Sequence, residues 1–334
     1  YAKEQQKFSH NLFFFKEYID FNSNIFVEGQ IFNQFYNTEK KNIKNNEVYS
    51  GSSFRIFPML GVKINTPFKL NRNIFDFTYT PSLSLIVSPG KSNSEKISNE
   101  DSSLNTYSLN NETLLNRYTG SDKLDNSKRL VSAFTLNNDN LNMKLSQSYE
   151  FDSNSNYNKE IGLTDHLSDI LFSKKLNEKK AQVYYDNRIN VDEGDIASQS
   201  IGLNLQNVIG IMGAKYAESK IESDSKLVKN SEFLSMNYES NTIKKFNKIG
   251  ISANFDLMKD YATNYQAFYK YTDECFGVDL KFTRNGFEDK DLKPEDKLTL
   301  MFSFKFLGSY SSTNLAVSEQ DKQDIKWETD SVDD

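Results

Sequence analysis

The chain has 334 residues, 37% of them hydrophobic and 13% aromatic, with 40 basic against 46 acidic side chains and a net charge of −6. Apolar content is low for a globular domain, yet a small net charge and abundant Phe and Tyr argue against disorder, and a sheet with one wet face needs only alternate residues apolar. Composition therefore points to an all-β chain; near-balanced charge excludes the basic footprint of a nucleic-acid binder, and the longest apolar runs, Leu12–Phe15 and Val208–Ala214, fall far short of a membrane helix.

The chain opens on Tyr1 with neither an initiator Met nor a charged-then-apolar leader, which predicts a removed signal peptide or a longer parent chain. Phe75, Phe77 and Tyr79 alternate with Asp76 and Thr78, as do Leu141, Met143 and Leu145 with Asn142 and Lys144. Looser alternation runs from Phe246 to Phe255 and from Tyr261 to Tyr271. Phe276, Val278, Leu280 and Phe282 share one face of a strand, and Leu298, Leu300, Phe302, Phe304 and Phe306 share another over nine residues.

Each such segment is near the ~9–11 residues of a tilted membrane strand, and the pattern predicts an antiparallel transmembrane β-barrel portion of about 12–16 strands. Polar connectors over Asn37–Ser52, Lys91–Asn126 and Asp152–His166 alternate with short turns, as at the unequal rims of such a barrel. With 14 Gly and 5 Pro in total, the 38 Asn must supply many turn positions. Pro58, Pro67, Pro81 and Pro89 lie in or beside strand-like runs, which predicts bent or short strands there. Residues 309–334 lose the alternation and end acidic, so residues 1–308 are expected to form the barrel portion and the remainder a disordered tail.

Catalytic chemistry finds little support. The only imidazoles are His10 and His166, and neither is flanked by nucleophile-elbow glycines. Asp273, Glu274 and Asp279 surround Cys275 without a spacing that defines an acid–base pair. There is no phosphate-cradling glycine loop and no metal-ligand spacing, so the expectation is a non-enzyme without cofactor or metal. Cys275 is the only cysteine, which precludes an internal disulfide and suggests pairing with something outside the segment. Alternation alone also fits a porin or a receptor barrel, or a β-rich adhesion protein whose aromatic faces meet a second sheet.

Three segments carry distinctive motifs. In residues 269–308 the positions are Asp273, Glu274, Cys275, Arg284, Pro294, Glu295, Leu307 and Gly308. In residues 99–129 they are Asn99, Glu100, Asp101 and Ser102, then Leu114, Arg117, Gly120, Asp122 and Arg129, and a proline-bearing strand pair lies within residues 55–89. Together these segments resemble the LptD family of LPS-assembly outer-membrane proteins in its alphaproteobacterial form, while Lys123 and Ser127 depart from the family's usual Arg and Gly.

The resemblance implies the C-terminal part of a larger barrel, the periplasmic jellyroll and the first barrel strands not being visible. It implies an outer-membrane location and insertion of lipopolysaccharide into the outer leaflet. Lipid would leave sideways beside the last strand, whose gate residues are Leu298, Leu300, Phe302, Phe304 and Phe306. It also implies a LptE-like plug lipoprotein, a periplasmic LptA-type bridge and the barrel-assembly machinery as partners, with Cys275 bridging to the N-terminal part.

Overall fold

A computed structural model describes residues 2–43, 47–72, 75–88, 93–153, 161–164, 166–221, 229–241, 243, 246–286, 294–304, 308–311 and 315–317. The alternating segments become strands: β1 (Glu4–Asp20), β2 (Ser23–Asn42), β3 (Val48–Asn65), β4 (Phe68–Arg72), β5 (Phe75–Val87), β6 (Lys128–Asn137), β7 (Leu141–Glu150), β8 (Ile170–Glu178) and β9 (Ala181–Ile189). The series continues with β10 (Ile196–Gln206), β11 (Gly210–Ile221), β12 (Lys229–Ser240), β13 (Asn247–Asp256), β14 (Tyr261–Thr272), β15 (Phe276–Asn285), β16 (Glu295–Phe304), β17 (Gly308–Ser311) and β18 (Leu315–Val317). These are eighteen strands among the described residues, of which β4, β17 and β18 have five residues or fewer. The chain is all-β and antiparallel, as its composition predicts.

Two compact units divide the chain: Tyr1–Leu176 with Tyr185–Gln199 and Lys220–Lys229, and Asn177–Tyr184 with Ser200–Ser219 and Asn230–Asp334. In the first unit, β1 pairs with β2 over its whole length, β2 with β3, β3 and β4 with successive parts of β5, and β5 with β6 and then β7. Register separates the two faces. Phe35 lies opposite Phe54, Leu60 opposite Val87, and Phe134 opposite Leu145 on one face, where large apolar side chains stand exposed. The other face carries Gln34, Tyr36, Phe57, Ile86 and Arg129, which are buried, and Arg55, which is half-buried. A sheet with its apolar side outward and its polar side enclosed inverts the soluble pattern and matches a wall standing in lipid.

In the second unit, β13 to β16 form a meander of cross-strand pairs. Phe276 pairs with Phe304, Val278 with Phe302, Leu280 with Leu300 and Phe282 with Leu298, so both aromatic runs share one face as their period of two requires. Phe276 stacks on Phe302 at 6.0 Å between ring centroids.

Three boundaries differ from the sequence expectation. The expected connector Asn37–Ser52 is mostly strand, because β2 runs to Asn42 and β3 begins at Val48. Pro58 and Pro81 shorten neither β3 nor β5, which have 18 and 13 residues. Pro81 faces the break between β3 and β4, where its carbonyl accepts the Thr66 amide at 3.1 Å, and Pro58 lies beyond the Leu60–Asn65 stretch that β3 shares with β5; a missing donor is tolerated where one ladder lapses. Within the expected tail, Ser309–Ser311 and Leu315–Val317 pair with β16, while 318–334 lie outside the described residues.

Candidate functional site

The described part of the connector from β5 to β6, residues 93–127, folds onto the covered face of the first unit. Its shape is set locally. The Asn99 Oδ1 accepts the Ser102 amide at 3.0 Å and its Nδ2 donates to the Ser102 carbonyl at 2.7 Å, closing an Asx-type turn. Gly120 sits at φ +72°, and a Cβ there would lie 2.3 Å from the Asp101 carbonyl oxygen, so only glycine permits this approach.

The two turns clasp each other through their carboxylates. Asp101 Oδ1 accepts the Ser121 and Asp122 amides at 3.0 and 2.8 Å and the Ser102 hydroxyl at 2.6 Å. Asp122 Oδ2 in turn accepts the Glu100 and Asp101 amides at 2.9 and 3.2 Å. Glu100 also accepts the Ser98 hydroxyl. Burial alone would raise the Asp101 carboxyl, but hydrogen bonds from Lys7, Ser102 and the two amides hold it well below the ordinary carboxylate range.

Side chains from the strands then fix the clasp to the wall. Lys7 on β1 reaches Asp101 at 2.8 Å and Asp122 at 2.7 Å. Arg55 on β3 donates to the Gln34 side chain at 2.9 Å, to the Asp122 carbonyl at 2.8 Å and to the Ser121 carbonyl at 2.6 Å. Tyr36 donates to Asp122 at 3.3 Å. Backbone carbonyls absorb much of the Arg55 charge, so one guanidinium binds both a strand and the connector.

Deeper lies a second ionic group. Arg117 Nε meets Asp125 at 2.7 Å, Arg129 Nη1 meets the same carboxylate at 3.2 Å, and Arg117 stands 3.8 Å from Glu150. Glu150 also accepts the Ser127 hydroxyl at 2.8 Å and the Lys128 amide at 2.6 Å, and Arg129 donates to the Leu114 carbonyl. Arg117, Asp125 and Arg129 are at most 1% exposed, a degree of burial that charges tolerate only when paired. Around them Leu115 and Leu124 from the connector pack with Phe32, Phe57, Met59, Ile86 and Val131, which supplies apolar burial of about 1.5–3 kcal/mol for each large side chain. Burial pushes Tyr107 and Tyr118 up to about 12, so both connector phenols stay neutral.

The loop residues singled out by sequence thus converge: Asn99, Glu100, Asp101, Ser102, Gly120 and Asp122 in the clasp, Arg117 and Arg129 in the ionic group. Leu114 contributes its carbonyl while its side chain is exposed. Sequence reasoning missed Lys7, Gln34, Tyr36, Arg55, Asp125 and Glu150. A usable signal was Arg55 between Phe54 and Ile56, since a charge alternating with large apolar residues marks a polar interior face.

The other expected positions lie in the second unit. Cys275 is exposed in the β14–β15 turn, where Asp273 accepts the Cys275 and Phe276 amides at 2.9 and 2.8 Å. Those amides and the Tyr271 hydroxyl hold the Asp273 carboxyl below its ordinary range. Arg284 stands 3.5 Å from Asp296 across β15 and β16. Leu298, Leu300, Phe302 and Phe304 occupy β16 with Leu298 and Phe304 exposed, and Phe306 lies outside the described residues. His166 contacts the Glu150 carbonyl at 3.0 Å and stacks on Tyr149, and His10 lies opposite Asn33 on β1.

A family model described as LptD, LPS transport system D, matches residues 11–261, three quarters of the chain. No curated protein matches it. Among solved structures, a triple mutant of the Rhodopseudomonas blastica porin is 8% identical, with 77% of this chain and 84% of that chain covered at a TM-score of 0.36. A chain described as "Asymmetric conductivity of engineered proteins" is 11% identical, with 84% and 86% covered and a TM-score of 0.36.

Proposed function

Since the chain belongs to the LptD family, whose role is LPS transport, we propose that it is a wall of the outer-membrane translocon that inserts lipopolysaccharide into the outer leaflet. The family match carries this proposal, and the inverted polarity of the first unit supports it: exposed Phe35, Phe54, Leu83 and Leu85 suit lipid, while the covered face is rich in charge. The protein acts as a conduit that breaks no bond, so its selectivity comes from which surfaces a passing amphiphile can touch.

Acyl chains are expelled from water, so the lipid part leaves sideways while the saccharide stays in the polar interior. In this proposal the exit lies beside β16, with Leu298, Leu300, Phe302 and Phe304 facing the departing chains. The short strands β17 and β18 hold the edge of β16 opposite β15, and their release would precede exit. A plug lipoprotein, a periplasmic bridge protein and the barrel-assembly machinery are the partners proposed, and Cys275 is proposed to bridge to a cysteine outside this sequence. Depletion of the protein with pulse-labelled lipopolysaccharide, read with an impermeant antibody, tests the assignment. Surface arrival should fall while synthesis continues. Unchanged arrival, with loss of small-solute uptake instead, would replace it with a porin-like role.

A further inference from the structure

Residues 105–112 of the connector run between its two fastened parts. On one side lies the clasp, above which the Thr119 amide donates to the Ser103 carbonyl at 2.9 Å and Leu104 bridges to Tyr118. On the other side Leu114 and Leu115 are fixed, the first through its carbonyl by Arg129 and the second in the apolar cluster. The turn between them is closed by its own side chain: Asn111 Oδ1 accepts the Ser108 amide at 2.9 Å, and Asn111 Nδ2 donates to the Thr106 carbonyl at 2.8 Å. This strap lies on the covered face, where Glu112 and Thr113 help to line a groove of about 240 Å³ with Thr80, Ser82, Val131 and Thr135.

What fastens the strap comes from other elements. Tyr107 packs with Leu163 and Leu171, its amide donates to the Ile161 carbonyl at 2.7 Å, and Glu112 meets Lys144 on β7. Between Ile161 and Leu163 stands Gly162, whose φ of +82° lets the backbone pass directly over Arg188 of β9; a Cβ there would lie 2.4 Å from the Arg188 Nη1. That Nη1 donates to Asp169 Oδ2 at 2.9 Å. The Asp169 amide donates to the Gly162 carbonyl at 3.0 Å, and Asp169 Oδ1 accepts the Val191 amide at 3.3 Å. Arg188 and Asp169 are each 3% exposed. Drying two charges offsets much of their attraction, so such a pair contributes little net stability, yet a lone charge left behind does not stay buried. These are the energetics of a catch with two positions.

We propose that residues 105–112 are a strap closing over the covered face, and that the Arg188–Asp169 pair is its bolt. When the pair parts, Ile161 and Leu163 lose their support and the strap lifts, while the clasp and the ionic group stay fastened. Lifting carries Glu112 away from the groove and opens the β5–β6 part of the face. The device is separate from the transport role, since it sets when that part of the face is open, whatever passes over it.

Hydrogen exchange of the full-length protein in detergent micelles tests this. Arg188→Gln, which strands the Asp169 charge, should lower protection in peptides spanning 105–112 by about tenfold or more, while 99–102 and 113–127 keep theirs. Asp169→Asn, which strands Arg188, should act alike. The double variant Asp169→Asn with Arg188→Gln leaves no lone charge and should recover most of the loss, whereas general loosening would make the two effects add. Gly162→Ala alters no charge and presses on Arg188 from the strap side, so it should deprotect the same peptides; it serves where Arg188→Gln does not fold. As a second readout, Leu109→Cys in a Cys275→Ser background should react with a maleimide about tenfold faster once Arg188→Gln is added. Unchanged protection at 105–112, an equal loss at 113–127, or a double variant no better protected than the single ones overturns the proposal.

Discussion

Asp125→Asn isolates the energetic centre of the connector. The carboxylate takes Arg117 at 2.7 Å and Arg129 at 3.2 Å, with all three groups at most 1% exposed. The amide keeps the shape but removes the negative charge that both guanidinium groups engage, Arg117 also standing 3.8 Å from Glu150. Breaking a buried ion pair from one side costs about 3–5 kcal/mol, which raises the undocked connector population by about two to nearly four powers of ten. Hydrogen exchange of the full-length protein in micelles, resolved on peptides spanning 113–127, measures this directly. Protection should fall by at least about a hundredfold there, while β13 and β14 in the other unit retain theirs. A loss of less than about tenfold, or an equal loss in β13 and β14, would show that the ionic group does not hold the connector.

Three further outcomes follow from the same geometry. Gly120→Ala places a Cβ 2.3 Å from the Asp101 carbonyl at φ +72°, so the clasp should open and a protease should cut between 99 and 122 at least about tenfold faster than in the parent, the αL penalty alone being about 1–2 kcal/mol. Phe302→Arg should impair refolding into vesicles by up to ~2–4 kcal/mol if the site lies near the midplane, whereas Ser303→Arg, on the other face of β16, should refold normally; equal effects would refute the facing. Asp101 has a depressed folded pKa, so its contribution is complete above the ordinary value of 3.8 and is lost as pH falls from there towards the folded value. Connector protection should therefore hold steady from neutrality to about pH 5 and decline below about pH 4, and a loss centred near pH 6 would point to another group.

The strands were legible because their signal is local. Leu298 to Phe304 alternates over consecutive residues, and its partner run Phe276 to Phe282 does the same, so no knowledge of the fold was needed to place either face. The connector was legible only as a long polar stretch with a recognisable motif. That it lies against the wall depends on Lys7 meeting Asp122 and Arg55 meeting Ser121, pairs separated by 115 and 66 residues, which leave no trace in any window of periodicity. Pro67 does fall at a break, between β3 and the five-residue β4, but Pro81 misled for a related reason: it reads as a strand breaker until β3 and β4 are seen to part beside it.

The 115-residue separation between Lys7 and Asp122 also bears on how the protein is made. The β1–β2 hairpin can zip by itself from its tight turn at Phe21 and Asn22, where both residues adopt left-handed φ values of 45° and 60°. Gln34 and Tyr36 on its inner side meet Arg55 once β3 pairs, but Lys7 waits for the carboxylates of the β5–β6 connector to fold back, because closing so long a loop is slow compared with zipping a hairpin. The β1–β2 hairpin thus forms before the Lys7 contacts that secure it, and for that interval its polar face needs either water or a chaperone's cover.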